Sequence, residues 1–128
     1  MVFLSVLIAA AASWGFGAIW YMRLGELWMK AAPVSKEHME RKDPVPFIVS
    51  FVCAIIVAGM MSHVLAMSGM TTLGGGLMVG FGIGLFLVVP WIATNYLFAG
   101  RDKNLIWIDG GYATGGCTIM GIVLGLML

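Results

Sequence analysis

The sequence predicts an all-α membrane protein of four transmembrane helices, and three observations carry that reading. Hydrophobic residues make up 61% of the 128 and charged residues only 10%, where a water-soluble domain carries roughly a quarter charged. Four apolar stretches, 2–22, 47–67, 75–98 and 105–128, each reach the roughly 20 residues a helix needs to cross about 30 Å of hydrocarbon. The seven Lys and Arg and the six Asp and Glu fall between those stretches, except Asp109. Backbone amides in lipid must be paired within their own segment, which makes helices the economical solution. A single domain, 1–128, is expected.

The first stretch reads as a span and not as a cleaved signal. Its opening, Met1 to Leu4, has no positive charge, and the apolar run continues through Trp14, Ile19, Trp20 and Tyr21. Residues 23–46 form the one sizeable polar connection. Leu24, Leu27, Trp28 and Ala31 recur there at helical spacing, with Glu26 and Lys30 on another side. The first span should therefore run on as an interfacial helix until Pro33 stops it. Ser35 can cap a short polar helix through Asp43, with Glu37 and Arg41 as an i,i+4 pair; Pro44 and Pro46 close it.

Charge placement gives an orientation. All seven basic residues lie in the first connection or in 99–104, and none at either terminus or in 68–74. The positive-inside rule makes the basic side cytoplasmic. Both termini should then face the periplasm of a bacterial inner membrane. A net charge of +1 supplies no basic field for nucleic acid.

Glycine is the richest motif material. Gly76, Gly80 and Gly84 repeat every fourth residue in the third span, as do Gly111 with Gly115 and Gly121 with Gly125 in the fourth. Such faces let helix backbones approach closely, within one subunit or between subunits. Trp20, Tyr21, Trp28, Tyr96 and Trp107 gather at the basic boundary as an aromatic belt. Pro90 should kink the third helix.

The polar residues within the spans are few. Asp109 lies about one turn into the fourth span, where a carboxylate is a functional candidate by default. It also reads as the N-cap of a helix beginning at Gly110. Tyr112 follows three residues on, and Asn95 and Tyr96 sit at similar depth in the third span. With Arg23 or Arg101 these could form one hydrogen-bonded cluster. His63 and His38 fall on opposite membrane faces and cannot share a metal or haem, and no metal-ligand spacing is present. Cys53 and Cys117 lie at depths of roughly 9 and 18 Å at 1.5 Å per residue, too unequal for a disulfide. Both read as buried apolar thiols.

Longer strings carry a resemblance. Gly17-Ala18-Ile19-Trp20-Tyr21 with Trp28-Met29 resembles the opening signature of the bacterial membrane family called domain of unknown function 1761. So do Trp91 to Phe98, then Ile108-Asp109-Gly110-Gly111-Tyr112, then Met120 to Gly125. The resemblance spans nearly the whole chain and implies a small integral membrane protein of four helices. Asparagine is the residue it leads one to expect at 109, where this chain has aspartate. It implies no activity and no functional residue.

On function, no Ser-His-Asp or Cys-His arrangement converges, so no catalytic residue, cofactor or metal is expected and the chain reads as no enzyme. Glycine faces and aromatic anchors suit a structural or accessory subunit, packing in lipid against itself or a larger membrane complex. The alternative is an oligomeric transporter or channel for a small solute, proton or cation, using Asp109 and Asn95. The topology has a direct test. A reporter active only in the cytoplasm, fused after Leu128, should stay silent, while a periplasmic reporter there should be active.

Overall fold

The computed structural model describes residues 2–31 and 43–128. Five helices run through them: α1 (Val2–Arg23), α2 (Gly25–Ala31), α3 (Val45–Ser68), α4 (Leu73–Phe98) and α5 (Lys103–Met127). Four of the five, all but α2, are long and apolar enough to cross a membrane. No strand occurs among the described residues. The polar helix expected over 35–43 falls outside them, except for Asp43.

Local chemistry explains where each helix begins and ends. After α1 the chain breaks helical continuity at Leu24, then resumes as α2, whose Trp28 N–H donates to the Leu24 carbonyl at 2.8 Å. Pro44 precedes α3 with its own φ already near −76°, a fixed angle that suits a helix start. Gly69 closes α3 in the left-handed region at φ 72°, where a side chain would be strained. Thr72 caps α4, its hydroxyl accepting from the Gly75 N–H at 3.0 Å. Asp102 caps α5, its carboxylate accepting from the Asn104 N–H at 2.8 Å. These two caps start α4 and α5 two residues before the apolar stretches do.

Pro90 lacks the N–H that would continue the α-helical ladder of α4. The helix accommodates it with a wider π-helical turn over Ile83–Val88, and the Val89 N–H reaches back five residues to Gly84. The apolar helix thus continues past the proline to Phe98.

Helix α5 is the centre of the molecule, in contact with α1, α2, α3 and α4. Its closest neighbour is α4, and the reason is the absence of side chains. A Cβ added to Gly76 would stand 2.0 Å from the Gly121 carbonyl oxygen, and one added to Gly121 would stand 2.0 Å from that of Gly76. Gly80 faces the Cys117 carbonyl in the same way, at 2.3 Å. Between helices in lipid, association draws on dispersion and weak Cα–H···O contacts instead of water exclusion. Backbones this close maximise both.

The second glycine pair of α5 meets something different. Gly111 lies under the Trp20 ring and Gly115 under the Phe16 ring, both from α1. The remaining core gathers Val6, Ala9 and Ala10 of α1, Ala54, Ala58, Met61 and Leu65 of α3, and Cys117, Met120 and Leu124 of α5. Small residues on α1 and α3 keep this three-helix seam tight. Cys117 is buried there, whereas Cys53 is exposed on the outer side of α3, so only one of the two thiols belongs to the core. The two remain unbonded to each other.

Replacing Gly80 by Ala should therefore lower the melting temperature in detergent. A methyl group aimed at backbone cannot be relieved by a rotamer change, and overpacking of this kind costs about 1–3 kcal/mol. Gly59→Ala is the control: nothing lies within 4 Å of a Cβ there, and alanine's better helix propensity should leave stability unchanged or slightly raised. Equal melting of the two variants would contradict the packing account.

Candidate functional site

The basic end of the bundle holds a polar cluster around Asp109. Trp20 sets its position. The indole ring lies on Gly111, and its N–H donates to the Ile108 carbonyl at 2.8 Å, tying α1 to α5 at the residue just before Asp109. The next residue, Tyr21, then donates its hydroxyl to one Asp109 oxygen. Tyr96 of α4 donates to the other at 2.5 Å. One carboxylate thereby joins three helices. Charge-assisted hydrogen bonds of this type are roughly twice as strong as neutral ones.

The helix containing Asp109 begins at Lys103, so Asp109 is not an N-cap. Asp102 takes that role, and nothing between Asn104 and Asp109 interrupts the helix. The carboxylate accepts from tyrosine side chains and lies inside the span.

The other expected members of the cluster divide. Tyr112 sits beside it, its ring edge-on to Tyr21 with centroids 5.5 Å apart, and shares a side-chain hydrogen bond with Ser13. Asn95 is exposed on α4 and does not reach Asp109. It neighbours Tyr96 in sequence but is turned by about 100° around the helix. Arg101 lies over the Tyr96 ring, 5.8 Å from its centroid, as a cation–π contact. Among the described residues, neither it nor Arg23 forms an ion pair with Asp109. Of the expected anchors, Trp28 packs on Ala31 and Leu105, and Trp107 is exposed, with its N–H directed to Asn104 at 3.3 Å.

Sequence reasoning placed Tyr21 in the aromatic belt and did not pair it with the carboxylate. Its depth, two residues inside Arg23, was the available signal. Trp14 and Phe47 carry no site signal in the sequence, yet both wall a groove of about 570 Å³ beside the cluster, between α1, α2 and the start of α3. The Trp14 N–H donates to Ser50 at 2.9 Å, fixing α1 to α3 at that wall. No group of three or more His, Cys, Asp or Glu side chains placed to hold a metal ion occurs among the described residues.

Four long apolar helices, a glycine-packed interior and a carboxylate clasped by tyrosines define a small integral membrane protein. Residues 4–125 match the family model described as Protein of unknown function (DUF1761), and the chain belongs to that family. Neither the search of curated proteins nor that of solved structures finds a match.

The cluster predicts an ordered mutational series. Asp109→Leu leaves two phenol hydroxyls without their acceptor and should destabilise by about 2–4 kcal/mol, since each unsatisfied buried polar group costs about 1–3 kcal/mol. Asp109→Asn keeps one acceptor and gains a donor, so its loss should be under half of that. Tyr21→Phe and Tyr96→Phe should each cost about 1 kcal/mol, near the average found for hydrogen bonds between membrane helices. Thermal melting in one detergent checks all four; equal melting of Asp109→Leu and wild type would refute the clasp.

Proposed function

We propose that this chain is a non-enzymatic accessory subunit of the bacterial cytoplasmic membrane, working by contact with a second copy or with a larger membrane partner. The observation that carries the reading is the backbone-to-backbone seam between α4 and α5. A conduit needs space lined by polar groups, and this seam has neither the space nor the side chains. Among the described residues, the buried polar ones are Ser5, Ser13 and Ser62. What one copy offers instead is a rigid apolar body, with its basic connections and aromatic belt at one boundary. The charge asymmetry supports an orientation in which those connections face the cytoplasm and both termini the periplasm.

A second reading is favoured by one specific feature. Asp109 is a carboxylate inside a span, without an ion pair among the described residues, and a group of that kind suits a proton or cation pathway. In that case the pathway would form between copies, because the interior of one copy is filled. Asn95, exposed on α4, would then be available to the neighbouring copy.

Native mass spectrometry from lipid nanodiscs, combined with proton and sodium flux in proteoliposomes, separates the two. The accessory reading predicts a defined oligomer or stoichiometric complex and no flux above empty vesicles. Flux that disappears in Asp109→Asn while the variant remains folded would replace it by the transport reading.

A further inference from the structure

The groove beside the cluster has a chemical character of its own. Its wall brings together five aromatic residues, Trp14, Tyr21, Trp28, Phe47 and Tyr112, which include two of the chain's three tyrosines. About 570 Å³ lies within the 300–1,000 Å³ usual for small-molecule sites. Among the described residues no basic side chain lines it.

The hydroxyls of both wall tyrosines are already engaged, Tyr21 with Asp109 and Tyr112 with Ser13. The groove therefore offers mainly ring faces and apolar surface. Donation to a carboxylate polarises the Tyr21 phenol and enriches its ring, which strengthens attraction for a cation over the face. The Asp109 charge itself stands one hydrogen bond behind that wall. Arg101 lies over Tyr96, which is not part of the groove. A neutral apolar molecule would gain only from packing. A cation carrying apolar substituents gains from the rings and from the charge together.

We infer that the groove binds a soluble organic ammonium ion with apolar substituents, held against the Tyr21, Trp28 and Phe47 rings with Asp109 as its counter-charge. The assignment requires neither transport nor a partner subunit, so it stands or falls separately from both readings above.

The test is calorimetric titration of the full-length protein, in an uncharged maltoside detergent, with benzyltriethylammonium and with neutral N-benzylacetamide. The ammonium ion should bind saturably, and the amide at least tenfold more weakly. Phe47→Leu keeps apolar volume at an exposed position and removes a ring face; it should weaken ammonium binding about threefold. Asp109→Asn should weaken it about tenfold, through loss of the charge. Equal binding of ammonium and amide would overturn the assignment, as would unchanged affinity in Asp109→Asn. Should Asp109→Asn melt early, Phe47→Leu decides alone, and unaltered affinity there overturns it. Repeating the titration in phosphatidylglycerol nanodiscs, with and without phosphatidylcholine, separates a soluble ligand from a lipid headgroup. Unchanged affinity supports the soluble ligand, and competition by phosphatidylcholine overturns it.

Discussion

The approach of α4 to α5 is the constraint on which the remaining structure depends. In water, burial of apolar surface would bring two such helices together with wide tolerance for side-chain shape. In lipid that drive is missing, and attraction must come from atoms in direct contact. Gly76, Gly80, Gly121 and Gly125 supply contact by leaving nothing between the two backbones. Once α4 is fixed on that face, α5 has a second face free. Gly111 and Gly115 there receive Trp20 and Phe16, and α1 is seated by ring-into-gap packing.

That seating determines the chemistry at the basic end. With Trp20 held on Gly111 and bonded to the Ile108 carbonyl, Tyr21 is placed at Asp109. With α4 held on α5 by its glycines, Tyr96 arrives from the other side. An ionised side chain within a span is costly, and two charge-assisted hydrogen bonds offset part of that cost. Clasp and glycine seam are therefore coupled: each helps hold α4 to α5, one at the boundary and one in the interior. The same geometry leaves the Tyr21 ring facing the groove, so the polar network and the aromatic wall share a residue.

Much of this was legible in the sequence, and the parts that were not have a common cause. The four spans follow from hydropathy and charge placement, because lipid imposes a strong filter on composition. Their ends shift by two residues at α3, α4 and α5, where Pro44, Thr72 and Asp102 start the helix ahead of the apolar run. Gly76 and Gly80 are readable as a packing face. What spacing hides is that the two pairs of α5 look alike yet point differently. Ten residues separate Gly111 from Gly121, which at 3.6 residues per turn places them about 80° apart. One pair meets backbone and the other meets rings. Helix rotation likewise brings Tyr96 to Asp109 and leaves Asn95 outside. The cap reading of Asp109 fails because the helix is already started by Asp102, seven residues earlier.

The central claim is contact between bare backbones, and solid-state NMR in lipid bilayers measures it directly. With glycine Cα and backbone carbonyl carbons labelled, correlations should appear between Gly76 and Gly121 and between Gly80 and Cys117. They should persist when the clasp is loosened by Tyr96→Phe. Absence of both correlations in a well-folded sample, with α4 and α5 separated by lipid or by side chains, would contradict the account.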